Sequence, residues 1–194
     1  SLASSGFNPS ATVTTLREPL DCRETTVRNT QCPVGALITN AMLNTSNDRL
    51  DCALLNSGSI RVDDILSGTL TELDVVRMLP FGGPITEIQM KGSLLRKTLD
   101  AGEGNKGNGG YLQWGRISKN AAGQWLVKNQ PLDDKRNYWI ILPDFLLTGN
   151  EQNMSFLKAA PNTDGKGTTN PDILVLNRAD PKDKADIRND IRLV

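Results

Sequence analysis

Hydrophobic residues recur along the chain at two spacings, and the alternation between them predicts both helices and strands. Apolar residues three and four positions apart predict helices over residues 33–43, 71–77 and 93–102, and another after Asp183. Alternating or continuous apolar runs predict strands over residues 11–16, 51–56, 85–90, 111–117, 124–127 and 138–142. Because the two kinds of element are interleaved without a regular βαβ order, we expect an α+β fold with a mixed sheet.

Capping signals set the boundaries of two helices. Thr71 is followed three residues later by Asp74, which is the pattern of a capping box. Pro80 must end the helix that this box begins, since the residue before a proline avoids the helical conformation. Ser93 is expected to cap the next helix.

The length of the chain favours one domain with one core. A chain of 194 residues buries roughly 70% of the surface that its unfolded form exposes. Residues 1–15 are expected to form a lead-in and residues 16–194 the domain, within which the Pro-, Gly-, Asn- and Thr-rich segment 159–172 is predicted to be a loop. The chain begins with Ser1 instead of Met, which suggests a piece of a longer protein.

The charge of the chain excludes one class of partner. Lys plus Arg number 22 and Asp plus Glu number 22, so the net charge is zero, and no lysine-rich block occurs. Binding to a nucleic-acid polymer depends on clustered positive charge, so we expect no such partner. No apolar run approaches the roughly 20 residues that a membrane span needs. We therefore expect no membrane span in this chain.

The chain contains no histidine, which removes the commonest general base and the commonest metal ligand. A Ser-His or Cys-His nucleophile is thus excluded. Cys22, Cys32 and Cys52 show no C-x-x-C spacing, so neither a zinc site nor a thioredoxin-like pair is predicted. We expect them to be buried thiols. The alternative is a Cys22–Cys32 bridge in an oxidising compartment.

Three glycines, Gly102, Gly104 and Gly107, match the G-x-G-x-x-G string of dinucleotide-binding folds. That fingerprint requires a strand before the glycines and a helix after them. Here a predicted helix precedes them and a predicted strand follows. We therefore expect a flexible connection between Leu99 and Tyr111, not a Rossmann site.

Three separated loops each carry a group suited to binding a nucleotide-sized ligand. Arg61 ends the segment that begins at Asn56, and a guanidinium suits phosphate or carboxylate. Phe81 and Phe145 each follow a proline closely in a predicted loop, where a ring can stack on a flat heterocycle. Each residue also has a simpler interpretation. Arg61 would pair with a nearby aspartate, and each ring would fold back onto the core.

Arg28 precedes the first predicted helix and could join Arg61 at an anion. A solvated arginine at the end of a strand is an equally good interpretation of its position.

Five motifs follow one another along the chain: Arg28-x6-Gly35-x-Leu37, Asn56-x-Gly58-x-Ile60-Arg61, Leu79-Pro80-Phe81-Gly82-Gly83, Gly110-Tyr111-Leu112-Gln113 and Leu142-Pro143-Asp144-Phe145. In this order they resemble the C-terminal domain of the 5′-nucleotidase family, which includes UDP-sugar hydrolases and ecto-5′-nucleotidases. The resemblance spans about residues 16–158.

The resemblance implies a mixed-sheet α/β sandwich that binds a nucleotide or nucleoside. In the family two Phe rings hold the base, and Phe81 and Phe145 match those positions. The expected polar contacts to base, ribose or phosphate are Asn56, Arg61 and, near the phosphate, Arg28. The remaining candidates for substrate binding are Gly58, Gly83 and Glu151.

The resemblance also implies that hydrolysis takes place in a separate N-terminal metallophosphoesterase domain, which binds two divalent metal ions. We expect that domain upstream, in cis. For this chain we expect no catalytic residue, cofactor or metal. Family members mostly work outside the cytoplasm, which implies a periplasmic, secreted or cell-surface location.

Three departures from the family pattern leave alternatives open. Thr30 replaces a second arginine, Arg116 stands where a small residue is common, and Gly149-Asn150-Glu151-Gln152 replaces a Gly-Gly-Asp-Gly sequence whose aspartate holds ribose hydroxyls. Glu151 could substitute for that aspartate. The alternatives are a non-catalytic ligand- or partner-binding module, and a substrate domain for UDP-sugars or 2′,3′-cyclic nucleotides.

Overall fold

The computed structural model describes residues 7–44 and 49–178. The helices are α1 (Glu24–Val27), α2 (Pro33–Asn44), α3 (Glu72–Met78) and α4 (Gly92–Gly104). The strands are β1 (Thr12–Thr15), β2 (Leu20–Asp21), β3 (Cys52–Asn56), β4 (Ile65–Leu66), β5 (Thr69–Thr71), β6 (Ile85–Lys91), β7 (Leu112–Gly115), β8 (Ile117–Lys119), β9 (Trp125–Val127), β10 (Gln130–Pro131), β11 (Asn137–Pro143) and β12 (Ile173–Arg178). The helix predicted after Asp183 lies outside the described residues.

A five-stranded sheet in the order β12-β6-β11-β3-β7 forms the centre of the fold. Strands β11 and β3 run parallel, with Ile140 opposite Cys52, and the other neighbouring pairs are antiparallel. The sheet is therefore mixed. The predicted α+β fold with a mixed sheet is confirmed.

The two faces of this sheet bury two separate hydrophobic cores. In β3 the side chains of Ala53 and Leu55 belong to one core, while those of Cys52 and Leu54 belong to the other, as the alternation of a strand requires. Helices α2 and α3 cover the first face. Helix α4 and the small sheet β10-β9-β8 cover the second face. The result is the α/β sandwich that the resemblance implied.

The helix boundaries follow from local chemistry. Thr71 caps α3 through a capping box, in which its hydroxyl accepts the Asp74 N–H (3.3 Å) and the Asp74 carboxylate accepts the Thr71 N–H (2.8 Å). Helix α4 begins at Gly92, and the prediction of Ser93 as its cap is wrong. A Cβ at Gly92 would lie 1.9 Å from the Asp133 carbonyl oxygen, so only glycine permits this approach.

Two predicted elements differ in the structure. The strand predicted over residues 111–117 is split into β7 and β8 by Arg116, which has a φ of 63° and donates from Nη1 to the Leu50 carbonyl (2.8 Å). The connection predicted between Leu99 and Tyr111 is helical as far as Gly104, because α4 continues beyond its apolar face.

The side chain of Gln31 forms hydrogen bonds along the outer edge of β7, the last strand of the central sheet. Gln31 donates from Nε2 to the Leu112 carbonyl (2.7 Å) and accepts the Trp114 N–H at Oε1 (3.1 Å). Its amide thus occupies the hydrogen-bonding positions that another strand would take.

The three cysteines are free and buried, as expected. Desolvation raises the pKa of the Cys22 thiol to about 12, and burial also raises the pKa of Cys32 and Cys52. No helix in the described ranges has the length and apolarity needed to cross a membrane.

Candidate functional site

The topology of the central sheet brings four chain segments to one of its ends. Strand β11 ends at Pro143, opposite the start of β6 at Ile85. Strand β3 is parallel to β11, so its last residue, Asn56, lies at the same end, opposite the first residue of β7, Leu112. The segments that follow β3 and β11 and those that precede β6 and β7 therefore meet there.

These segments and the C-terminal end of α1 enclose a cleft of about 610 Å³, within the range of roughly 300–1,000 Å³ that is usual for small-molecule sites. All the substrate-binding candidates from the sequence lie in it. The cleft is lined by Arg28, Asn56, Gly58, Ser59, Arg61, Phe81, Gly82, Gly83, Pro84, Gly109, Pro143, Phe145 and Glu151. Whether each contacts a ligand stays a prediction.

The two phenylalanines of the cleft are exposed. Phe81 is 74% and Phe145 45% accessible, so the alternative interpretation, in which each ring folds back onto the core, is wrong. The Phe81 turn needs glycine at two positions, since Gly82 has a φ of 57° and Gly83 a φ of 116°. The Asp144 N–H donates to the Pro84 carbonyl (3.0 Å), which ties the two phenylalanine loops together.

Arg61 lies beside Phe81. Its guanidinium is 5.4 Å from the centre of the ring, within cation–π range. The alternative that Arg61 pairs with a nearby aspartate is wrong within the described residues, because Asp64 pairs with Arg77 (3.9 Å) and the Asp63 carboxylate accepts the Glu24 N–H (2.9 Å). The Arg61 guanidinium therefore lines the cleft without an ion pair to Asp63 or Asp64.

The turn after β3 is fixed by a close approach of two glycine backbones. A Cβ at Gly58 would lie 3.1 Å from the Gly109 Cα, and the Gly58 N–H donates to the Gly109 carbonyl (2.9 Å). Asn56 is almost fully buried, and its Oδ1 accepts the Ser59 hydroxyl (3.0 Å). This turn forms one wall of the cleft.

Arg28 is the residue that ends α1 and is not a solvated strand-end arginine. Its side chain is 21% exposed and pairs with Glu24 through Nη2 (3.0 Å). Its Nε atom is buried and has no hydrogen-bond partner within the described residues. An unsatisfied buried donor on a charged group costs free energy, and an anion in the cleft could remove that cost.

Glu151 lines the cleft beside Gly110 and is half-buried. Burial raises the pKa of its carboxyl, and a hydrogen bond from the Gln152 N–H opposes this effect. A Cβ at Gly110 would lie 2.5 Å from the Glu151 Oε1 atom, so glycine there makes room for the carboxyl group. Asn105, which is buried, donates to the Gly110 (3.1 Å) and Gln152 (2.8 Å) carbonyls and joins these two loops.

The cleft has an aromatic part and a charged part, and it offers no metal centre. No group of three or more His, Cys, Asp or Glu side chains that could hold a metal ion occurs in the described part of the chain. A cleft with these features at the loop end of a mixed α/β sandwich is typical of a small-molecule-binding domain.

Comparisons with known proteins identify the family. Residues 10–159 match the family model of the 5′-nucleotidase C-terminal domain, and the chain belongs to this family. Bovine 5′-nucleotidase is 32% identical over 162 residues, which cover 68% of this chain and 28% of the relative. Protein UshA of Yersinia enterocolitica is 30% identical over 106 residues, which cover 52% of the chain and 19% of that protein. The chain therefore spans about a quarter of the curated relatives that it matches.

Solved structures show the same fold. A 5′-nucleotidase precursor from Thermus thermophilus superposes with a TM-score of 0.75 at 22% identity, covering 94% of this chain and 36% of that one. The NAD nucleotidase of Haemophilus influenzae gives a TM-score of 0.71 at 17% identity, covering 98% and 36%.

Sequence reasoning missed part of the cleft and the residues that support it. Ser59, Pro84 and Gly109 line the cleft beside predicted residues, and their positions next to the motifs could have indicated them. The supporting amide of Asn105 carries no sequence signal, because one of its two acceptors, the Gln152 carbonyl, lies in a loop distant along the chain.

Proposed function

We propose that this chain is the nucleotide-recognition domain of a 5′-nucleotidase-type phosphohydrolase. The observation that carries the proposal is one cleft that combines two exposed phenylalanine rings with two guanidinium groups. The rings suit a flat heterocycle and the guanidiniums suit a phosphate, so a nucleoside phosphate matches both parts.

In this proposal the base stacks between Phe81 and Phe145. Both side chains are exposed, Phe81 more than Phe145, and the hydrogen bond between Asp144 and Pro84 holds their loops together. Stacking on an aromatic side chain contributes about 1–3 kcal/mol per ring in nucleic-acid sites. The Arg61 guanidinium lies over the Phe81 ring, so a base that stacks on this ring would lie close to a positive charge.

The polar end of the ligand would contact the arginines. The unpartnered Nε of Arg28 can donate to a phosphate oxygen, and such a charge-assisted bond is about twice as strong as a neutral one. Asn56 and Glu151 can form hydrogen bonds with the ribose hydroxyls. Gly58 and Gly83 have no side chains, which leaves room for the ligand beside the backbone.

Hydrolysis would take place in another domain of the same protein. The described residues do not fit a pair of divalent metals, since they contain no histidine and no group of three or more Cys, Asp or Glu side chains that could hold a metal ion. We propose an N-terminal metallophosphoesterase domain in cis, which holds those metals. This proposal agrees with the length comparison, since the match covers only 28% of bovine 5′-nucleotidase and leaves room for a further domain in a protein of that length. By resemblance to the family, we also propose a periplasmic, secreted or cell-surface location.

An NMR titration of the 194-residue chain tests the proposal. We expect AMP to shift the amide signals of Gly58, Phe81 and Gly83 in the cleft, while those of Leu73 and Val175, on the surface outside it, serve as controls. Adenosine and UDP-glucose are titrated in parallel to define the preferred ligand. Phosphate release from AMP by the chain alone, with divalent metal present, would overturn the division between recognition and hydrolysis.

A second candidate is a non-catalytic ligand- or partner-binding module. The departures from the family pattern favour it, because Thr30 replaces a second arginine and Glu151 stands in place of the aspartate that holds ribose hydroxyls in the family. In the same titration, a folded chain that shows no shift with any nucleotide, nucleoside, UDP-sugar or 2′,3′-cyclic nucleotide would favour this candidate. Shifts with UDP-glucose or a 2′,3′-cyclic nucleotide, but not with AMP, would show that the chain is a substrate domain for one of those ligands.

A further inference from the structure

Gln113 is a fully buried polar residue of the central sheet, and it is not among the residues that line the cleft. It lies on β7, in one of the family motifs, and the proposed function gives it no role. Its side-chain amide forms three hydrogen bonds, all to the backbone of one segment. Nε2 donates to the carbonyls of Val27 (2.8 Å) and Thr30 (2.6 Å), and Oε1 accepts the Cys32 N–H (3.2 Å).

The segment held in this way is the one that carries Arg28. Val27 immediately precedes Arg28, and Thr30 and Cys32 follow it. The Arg28 carbonyl also accepts the Gly107 N–H (2.7 Å), which connects the same segment to the loop before β7. The backbone around Arg28 is therefore attached to β7 through an amide that solvent does not reach.

Gly35 on α2 provides the space that this amide occupies. A Cβ at Gly35 would lie 2.0 Å from the Gln113 Oε1 atom and 2.5 Å from its amide carbon. Real Cβ atoms do not approach other atoms so closely. An alanine at position 35 would therefore displace the Gln113 amide while favouring the helix itself.

We propose that Gln113 is a positioning residue that fixes Arg28 for contact with the phosphate of the ligand. This inference rests on the proposed function, because it assumes that Arg28 contacts a phosphate. A shift of the backbone near Arg28 moves a charged donor away from its acceptor, and misplacements of about 1 Å can cost roughly a hundredfold in reactions that depend on orientation. For binding we expect a smaller effect, a loss of about tenfold, as for one charge-assisted hydrogen bond.

The measured quantity is the phosphate increment, defined as the ratio of the adenosine Kd to the AMP Kd on the full 194-residue chain. We expect Gln113→Met and Gly35→Ala to lower this ratio toward the value of Arg28→Ala while leaving adenosine affinity unchanged. In an Arg28→Ala background, Gln113→Met should lower the ratio no further. Gln124→Met, at an exposed glutamine outside the cleft, is the matched control and should leave the ratio unchanged.

Three results separate the possible failures. If Gln113→Met and Gly35→Ala both leave the ratio unchanged, or weaken adenosine and AMP equally, the positioning role is refuted. If Arg28→Ala also leaves the ratio unchanged, or AMP does not bind, the proposed function itself fails and the inference fails with it. Should Gln113→Met not fold, the Gly35→Ala variant decides alone. The NMR signal of the Arg28 Nε–H group should move in either folded variant, and an unmoved signal would contradict the proposal.

Discussion

Removing one ring of the cleft is the sharpest test of the base-stacking hypothesis. For Phe81→Ala and Phe145→Ala we expect AMP affinity to fall by about 5- to 150-fold, the equivalent of the roughly 1–3 kcal/mol that a stacked aromatic contributes. Each substitution also removes some buried surface and so lowers the stability of the fold. The exposed fraction of each side chain determines how large that cost in stability is.

The cost in stability should be small for Phe81. Full burial of a phenylalanine contributes about 1.5–3 kcal/mol to stability. Because Phe81 is 74% exposed, the Phe81→Ala variant should lose only about a quarter of that contribution. The exposed cation–π contact with Arg61 adds roughly 0.5–1 kcal/mol. Phe145 is 45% exposed, so its removal should cost about half the contribution of full burial, roughly 0.8–1.5 kcal/mol.

Calorimetry or NMR titration with AMP and with ribose 5-phosphate provides the assay. Ribose 5-phosphate lacks the base, so its affinity should not change in either variant. Leu73→Ala is a matched control, because Leu73 is 45% exposed like Phe145 but lies on α3 outside the cleft. AMP affinity within twofold of wild type in both folded phenylalanine variants would refute base stacking, as would an equal loss for the two ligands.

Three further predictions concern titratable groups. The pKa of Glu151 is raised above its ordinary value of 4.5, so its stabilising effect is complete below that pH and is lost as pH rises through the folded pKa; Glu151→Gln should therefore flatten the stability decrease above pH 4.5 in urea denaturation. Asp51→Ala should destabilise the fold by about 2 kcal/mol, because buried Asp51 accepts the Trp139 N–H (2.9 Å) and pairs with Arg136 (3.1 Å); an unchanged urea midpoint would contradict this. Without reductant, thiol titration should count three free cysteines after denaturation and almost none before, whereas a count of one after denaturation would reveal a disulfide.

The elements that the sequence predicted best are those with strong internal patterns. Helix α3 carries its own capping box, β6 carries an apolar alternation, and β11 carries a continuous apolar run. Helix α1 and strand β12 were not predicted. Helix α1 has only four residues, and the carbonyl of its last residue, Val27, accepts a hydrogen bond from the distant, buried Gln113 amide. Strand β12 follows an irregular loop and pairs with β6, which lies far away in sequence.

The predicted site residues share one cleft because their motifs occupy the ends of neighbouring strands. Sequence reasoning could name Phe81 and Phe145 from their loops, but not whether the rings face the core or solvent. That choice depends on the tie between Asp144 and Pro84 and on glycine conformations at positions 82 and 83. The division of the chain into a lead-in and one domain at residue 16 stays a prediction, although β1 (Thr12–Thr15) pairs with β5.

The side chain of Gln31 along β7 has a consequence for behaviour at high concentration. An edge strand with free N–H and C=O groups is a template on which another chain can add a strand. Gln31 occupies two of these groups on β7, at Leu112 and Trp114. A Gln31→Ala variant would expose them and should therefore aggregate more readily than the wild type. The Gln31 amide thus leaves fewer hydrogen-bonding groups at this edge for intermolecular β-pairing.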